Sequence, residues 1–275
     1  ARAKMADLLF REREISTLRR LIRADKRCFV RGIHVYGPPA TGKTTIVRDI
    51  LHSTIHAYVD CREINRDRAI CHSIGSQLRE SKSSRERKCF TLVDLASTLS
   101  KEHALKVGTG YIVLDGVDEL CEVNPAFLTG LLRLPEASQC NICLIIISSN
   151  RKTLPGCWKP SNFFTVRFPT YTVTELANLA EAKVRSPVEL KTSVWKKMLR
   201  FVFEGISHAT SSLRRCVLIA KMIKPVAKSL VKKDGVTLEL ATIKALVRRV
   251  CDLMPTDSLT ASVLQDFMSH CQRSP

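Results

Sequence analysis

The run Gly37-Pro38-Pro39-Ala40-Thr41-Gly42-Lys43-Thr44-Thr45 carries glycines, a lysine and a hydroxyl at the spacing GxxxxGK[ST]. The chemistry of that pattern is to hold phosphate. Glycines let backbone N–H groups turn inward around an anion, and a helix starting just beyond adds positive potential. Lys43 would reach the β- and γ-phosphates of ATP, and the Thr44 hydroxyl would ligate Mg²⁺. Residues 29–36 read as a strand, and Ile46, Val47, Ile50 and Leu51 fall on one side of a helix opening after Gly42. A strand before the loop and a helix after it are what the motif requires.

Such a loop needs an acidic partner on a neighbouring strand to hold the metal ion. Ile112-Val113-Leu114-Asp115 supplies one, an apolar strand ending in Asp115, which would bind Mg²⁺ directly or through water. Many motor ATPases place a glutamate next, to polarise the attacking water; here the residue is Gly116. Asp118 and Glu119 follow, and a general base must lie within one hydrogen bond of that water. The expectation is ATP binding with slow or absent hydrolysis. A further apolar run ends in Ser148-Ser149-Asn150. Ser149 or Asn150 is placed either to face the γ-phosphate or to cap the strand end. Arg214 and Arg215 start an apolar-periodic helix, and serve either as phosphate ligands from a second domain or as a solvated basic face.

The elements that must position these residues alternate. Strands are predicted near residues 29–36, 57–60, 111–114, 143–147 and 163–168, and helices near 6–24, 43–51, 65–78, 90–105 and 125–134. Apolar strands with little alternation, separated by helices, predict a buried parallel sheet covered on both faces. After Pro169 the pattern becomes helical, opening on Thr172 with Glu175 three residues on, a capping-box signature, and broken near Pro187, Pro225, Gly235 and Pro255. Two domains are expected, residues 1–170 and 171–275.

Composition limits the function. The chain has 275 residues, 44 basic and 26 acidic, a net charge of +18. Residues 1–150 hold 23 basic and 17 acidic residues (+6), and residues 151–275 hold 21 and 9 (+12). That excess points to a polyanion such as nucleic acid, contacted mainly by the second part. Lys221, Lys224, Lys228 and Lys232 recur at helical spacing, and Arg85, Arg87 and Lys88 lie on a predicted loop. Such residues would touch phosphates rather than base edges; each cluster also reads as a solvated face. The 11 cysteines make no disulfide framework, and the pair Cys140 and Cys143 lacks the second ligand pair of a zinc site. Free thiols in a reducing compartment are expected. No run of 18 apolar residues and no signal peptide is read. The chain opens on Ala1 and its first methionine is Met5, so it is expected to be a piece of something longer.

The segments FREREI (10–15), IHVYGPPATGKT, YIVLDGVDEL, the strand before SSN and the helical second part together resemble the initiator clade of AAA+ ATPases, and more narrowly the subunits of the eukaryotic origin recognition complex. The resemblance runs from about residue 8 to 225. It implies a RecA-like AAA+ domain with a five-stranded parallel sheet, an all-helical lid, and usually a following winged helix, which is not expected within these residues. It implies ATP and Mg²⁺ as ligands, bound between sheet and lid. It carries nucleotide contacts onto Gly37, Gly42, Lys43, Thr44 and Asp115, sets Phe10 and Arg11 against the adenine, and matches a strand-end polar residue to Ser149 or Asn150 and a lid arginine to Arg214 or Arg215. Other subunits of such a complex and duplex DNA would be the partners, in the nucleus, with no membrane. A signalling NTPase of the NACHT type is the rival reading, since LDGVDEL and GKTT suit it and Asp118 would then be functional. A DNA-dependent motor is the third reading, and Gly116 speaks against it.

Overall fold

The computed structural model describes residues 10–22, 30–79, 89–153, 163–187, 192–206 and 212–234. Five strands, β1 (Gly32–Tyr36), β2 (His56–Asp60), β3 (Gly110–Asp115), β4 (Ile142–Ser148) and β5 (Phe163–Arg167), pair in parallel in the order β2-β3-β4-β1-β5. β3 and β4 are buried along their whole length. This accounts for their unbroken apolar runs, because a central parallel strand has no solvent face. The edge strand β2 alternates instead.

Around the sheet lie α1 (Glu12–Ile22), α2 (Lys43–Leu51), α3 (Asp67–Leu78), α4 (Leu92–Leu99), α5 (His103–Val107), α6 (Asp118–Val123), α7 (Pro125–Leu132) and α8 (Leu134–Ser138), with a 3₁₀ turn at Arg151–Thr153. The chain leaves β1 toward β2 and β3 on one side, and leaves β4 toward β5 on the other. The C-terminal ends of β1 and β4 therefore flank a topological switch point, where open α/β sheets bind ligands.

The chain divides into two compact units, Arg11–Pro169 and Ala1–Phe10 with Thr170–Pro275. The second is built on α9 (Val173–Lys183), α10 (Thr192–Ile206) and α11 (Leu213–Asp234). α9 starts on the expected capping box, with the Thr172 side chain accepting from Glu175 N–H and the Glu175 carboxylate accepting from Thr172 N–H. Its core joins Leu176, Ala180, Trp195, Leu199, Phe203 and Ile219.

Two boundaries differ from those read in the sequence. Residues 90–105 form two helices, because Lys101 and Glu102 N–H bond back three residues to Thr98 and Leu99 and end the first. Pro225 does not break α11. Cys216, Ile219, Ala220 and Ile223 are buried while Pro225 is exposed, so the helix gives up one bond on its solvent side and keeps its packed stripe.

Trp195 is fully buried and its indole N–H donates to the Val184 carbonyl at 3.1 Å. Trp195→Ala is expected to destabilise the helical unit by about 3–5 kcal/mol, read as a lower urea midpoint of helical circular dichroism.

Candidate functional site

β1 delivers the chain to Gly37, whose φ of +150° and surroundings admit no side chain: a Cβ there would stand 2.1 Å from the Phe168 carbonyl oxygen. Ala40 (φ 60°) and Gly42 (φ 91°) are also left-handed. The Thr41 hydroxyl donates to the Pro38 carbonyl at 2.8 Å and closes the loop beneath the exposed Pro38 and Pro39. Gly42 caps α2 with no side-chain hydrogen bond to the helix. The first-turn N–H groups are thus without a side-chain cap at the switch point, where an anion is favoured.

Lys43 Nζ donates to the Gly37 carbonyl at 2.5 Å and the Pro38 carbonyl at 2.7 Å, folding the ammonium over the loop. Burial pushes the Lys43 pKa down, and the carboxylates of Asp115 and Asp118 pull it back up. The Thr44 hydroxyl donates to Asp115 Oδ2 at 2.7 Å, and Thr45 is exposed on the next position of α2. A hydroxyl and a carboxylate oxygen held this close are hard donors of the kind Mg²⁺ takes. The residues present therefore fit a phosphate chain with its metal ion.

A profile of the AAA ATPase domain family matches residues 7–146. The chain belongs to the AAA ATPase family. It is 30% identical to origin recognition complex subunit 5 of Homo sapiens over 186 residues, 62% of this chain. The chain spans 42% of the length of that relative. Among solved structures it superposes on a chain of the Drosophila ORC bound to DNA, with a TM-score of 0.76 at 17% identity, covering 94% of this chain and 72% of that one. It also superposes on the Aeropyrum pernix ORC1 protein in complex with DNA (TM-score 0.58, 18% identity, 90% and 69% covered) and on the ADP form of the Aeropyrum pernix ORC2 protein (0.60, 18%, 86% and 68%). These structural likenesses share the RecA-like fold and its helical region with this AAA ATPase. The segments YIVLD, FLTGLLRLPE and FTVRFPTYTVTEL resemble those of subunit 5 in particular; Gly156-Cys157-Trp158 does too, and lies outside the described residues.

In this AAA ATPase the acidic residue of β3 collects donors from three separate elements. The Asp115 side chain is 4% exposed, and its Oδ2 accepts from Thr44, from the Tyr58 hydroxyl and, at 3.5 Å, from Arg62 Nη2. Burial, then the Asp115 hydrogen bond, push the Tyr58 pKa up. The Arg48 guanidinium stacks 3.9 Å from the centroid of the Tyr58 ring. Sequence reading missed Tyr58, Asp60 and Arg62. The one signal available is that Asp60 also ends a strand, and β2 pairs it in register with Asp115.

Asp118 is committed elsewhere. Its carboxylate accepts from Ser149 N–H at 3.0 and 3.1 Å, from the Ser149 hydroxyl at 3.0 Å and from the Thr153 hydroxyl at 2.7 Å. It pins the start of α6 to the end of β4. The Ser149 hydroxyl is thereby turned to Asp118, and Asn150 Oδ1 accepts from Lys152 N–H as a strand-end cap. Glu119 is exposed on α6. Arg11 donates to the Pro169 carbonyl at 2.5 Å and lies over the Phe168 ring, which anchors α1 at the end of β5. Phe10 packs against the helical cluster. Arg214 is exposed and Arg215 half-buried on α11, as are Lys221 (exposed) and Lys224 (half-buried). Arg85, Arg87 and Lys88, and the side chains of Lys228 and Lys232, lie outside the described residues. Cys140 and Cys143 are buried free thiols, and no cluster of three metal-ligating side chains occurs among the described residues.

His34 sits in β1 next to this network, 2% exposed, with Nε2 2.7 Å from the Ser148 hydroxyl. Burial lowers its pKa to about 4, opposed by Asp118 and reinforced by Arg151. The unfolded chain, with an ordinary histidine pKa of about 6.5, binds more protons than the folded one in this range. Stability is therefore complete above about pH 6.5 and falls as pH drops toward about 4. Urea midpoints measured from pH 7 to pH 4 should show this slope, and His34→Gln should flatten it.

Proposed function

We propose that this chain is an ATP-binding AAA+ subunit of an origin recognition complex, helping to bind origin DNA and start replication, with ATP serving mainly a structural purpose. The observation that carries the reading is the P-loop with Lys43, Thr44 and Asp115 converging at the switch point of an AAA ATPase fold. Lys43 would neutralise the terminal phosphates once its ammonium leaves the Gly37 and Pro38 carbonyls. Gly37, Gly42 and the first turn of α2 would supply backbone N–H groups. Thr44 and Asp115 would hold Mg²⁺, which supplies charge neutralisation at the β- and γ-oxygens.

The expectation of weak or absent hydrolysis rests on Gly116 and on Asp118. Gly116 has no side chain to orient water, and both Asp118 oxygens are engaged by the end of β4. This use of Asp118 as a pin supports the initiator reading over a NACHT-type switch, as does the likeness to subunit 5 of the human complex. Residues 171–275 are proposed as the lid. Lys221 on α11 and the basic excess of residues 151–275 support contact with duplex DNA phosphates in the nucleus, in company with other subunits of the complex.

Lys43→Ala should abolish ATP binding by the purified chain, measured by equilibrium titration; unchanged affinity would refute the site. In a phosphate-release assay, Asp118→Asn with Glu119→Gln should leave turnover where it is. A clear wild-type rate removed by that pair would overturn the non-hydrolysing reading.

A further inference from the structure

We infer that Arg62 is the residue by which this site distinguishes a nucleoside triphosphate from a diphosphate, and that its side chain occupies the water-activating position that Gly116 leaves open. The inference rests on the nucleotide site proposed above.

The placement follows from strand register. β2 and β3 pair so that Asp60 and Asp115 stand opposite each other at the C-terminal edge of the sheet, and Cys61 N–H donates to the Asp115 carbonyl at 2.8 Å. Two carboxylates opposed in this way repel. Arg62, two residues past the strand, answers both. Its Nε donates to Asp60 Oδ1 at 2.8 Å and its Nη2 to Asp60 Oδ2 at 2.6 Å, a two-pronged fork, while Nη2 also reaches Asp115 Oδ2 at 3.5 Å. A fork of this kind fixes the plane of the guanidinium as well as its position.

The same fork lays the side chain across Gly116. A Cβ on Gly116 would meet Arg62 Cγ, Cδ and Nε each at 2.9 Å, and Gly116 has a φ of +68°. A glutamate following Asp115 would have to occupy this ground, so a cation stands where a general base would be needed. Arg62 is also within reach of the ligand side. The Asp115 oxygen it approaches is the one that accepts from Thr44, and its charge is felt at Lys43. Its side chain is 61% exposed, and Nη1 has no hydrogen-bond partner among the described residues. That leaves donors for an oxyanion beyond the Thr44–Asp115 pair, where a phosphate chain running from the Lys43 loop past that pair would end. A diphosphate held by the same loop would end one phosphate short of these donors.

The test is the affinity of the purified full chain for mant-ATP and for mant-ADP, each with Mg²⁺. Removing one charge-assisted hydrogen bond should cost Arg62→Ala about 10- to 100-fold in ATP affinity, with ADP affinity within about 3-fold of wild type. Arg62→Lys should retain part of the preference. Equal losses for both nucleotides, or no loss, would overturn the inference while leaving the site intact. Wild-type protein that binds neither nucleotide would refute the site itself and this inference with it. A second measurement needs no nucleotide: Gly116→Ala should lower the melting temperature less in the Arg62→Ala background than in wild type. Equal drops in the two backgrounds would show that Arg62 does not cover Gly116, and would overturn the placement.

Discussion

A buried carboxylate organises this site. Asp115 is carried by a central strand into surroundings that leave its side chain almost no solvent. An ionised group taken out of water is costly unless hydrogen bonds and opposite charge replace the water. The replacement comes from three elements: the Thr44 hydroxyl from the helix after the P-loop, the Tyr58 hydroxyl from the edge strand, and the Arg62 fork from the turn beyond it. Each donor also does a second thing. Thr44 links the glycine-rich loop to β3. Tyr58 carries the stacked Arg48. Arg62 neutralises Asp60 and covers Gly116.

The other acidic side chain near the strand ends solves a different problem. Asp118 accepts four hydrogen bonds from the Ser149–Thr153 turn, and so welds the exit of β3 to the exit of β4. Beneath it, neutral His34 meets Ser148 inside the sheet. The C-terminal side of the sheet thus carries polar groups on four strands, from Asp60 on β2 to His34 on β1, over an apolar body. Gly37 bounds them on the β5 side, where the Phe168 carbonyl excludes any side chain.

Much of this was legible in the residue order. The phosphate loop was, because its chemistry is local: eight consecutive residues set the turns, the ammonium and the hydroxyl, and the flanking strand and helix announce themselves by apolar period. The position of Asp115 was legible too, since an apolar run ending in an acid reads as a buried strand with its carboxylate at the sheet edge. The capping box at Thr172 was legible for the same reason, since both partners lie within one turn. The parallel sheet was legible in the unbroken apolar runs of β3 and β4. Pro225 misled, because a proline on the solvent face of a packed helix costs less than the stripe behind it gains.

The role of Asp118 and the place of Arg62 were not legible, and the reason is physical. Neither depends on spacing along the chain. Residue order offers Asp118 as a candidate base, and only the fold brings the turn after β4, 31 residues on, to its oxygens. Arg62 meets Asp115 across 53 residues, through a register between two strands that only the folded sheet establishes. Residue order could say that a glutamate is absent after Asp115. Three-dimensional pairing says what stands over that position instead: a cation held by a neighbouring carboxylate, put there because two acidic strand ends side by side require one.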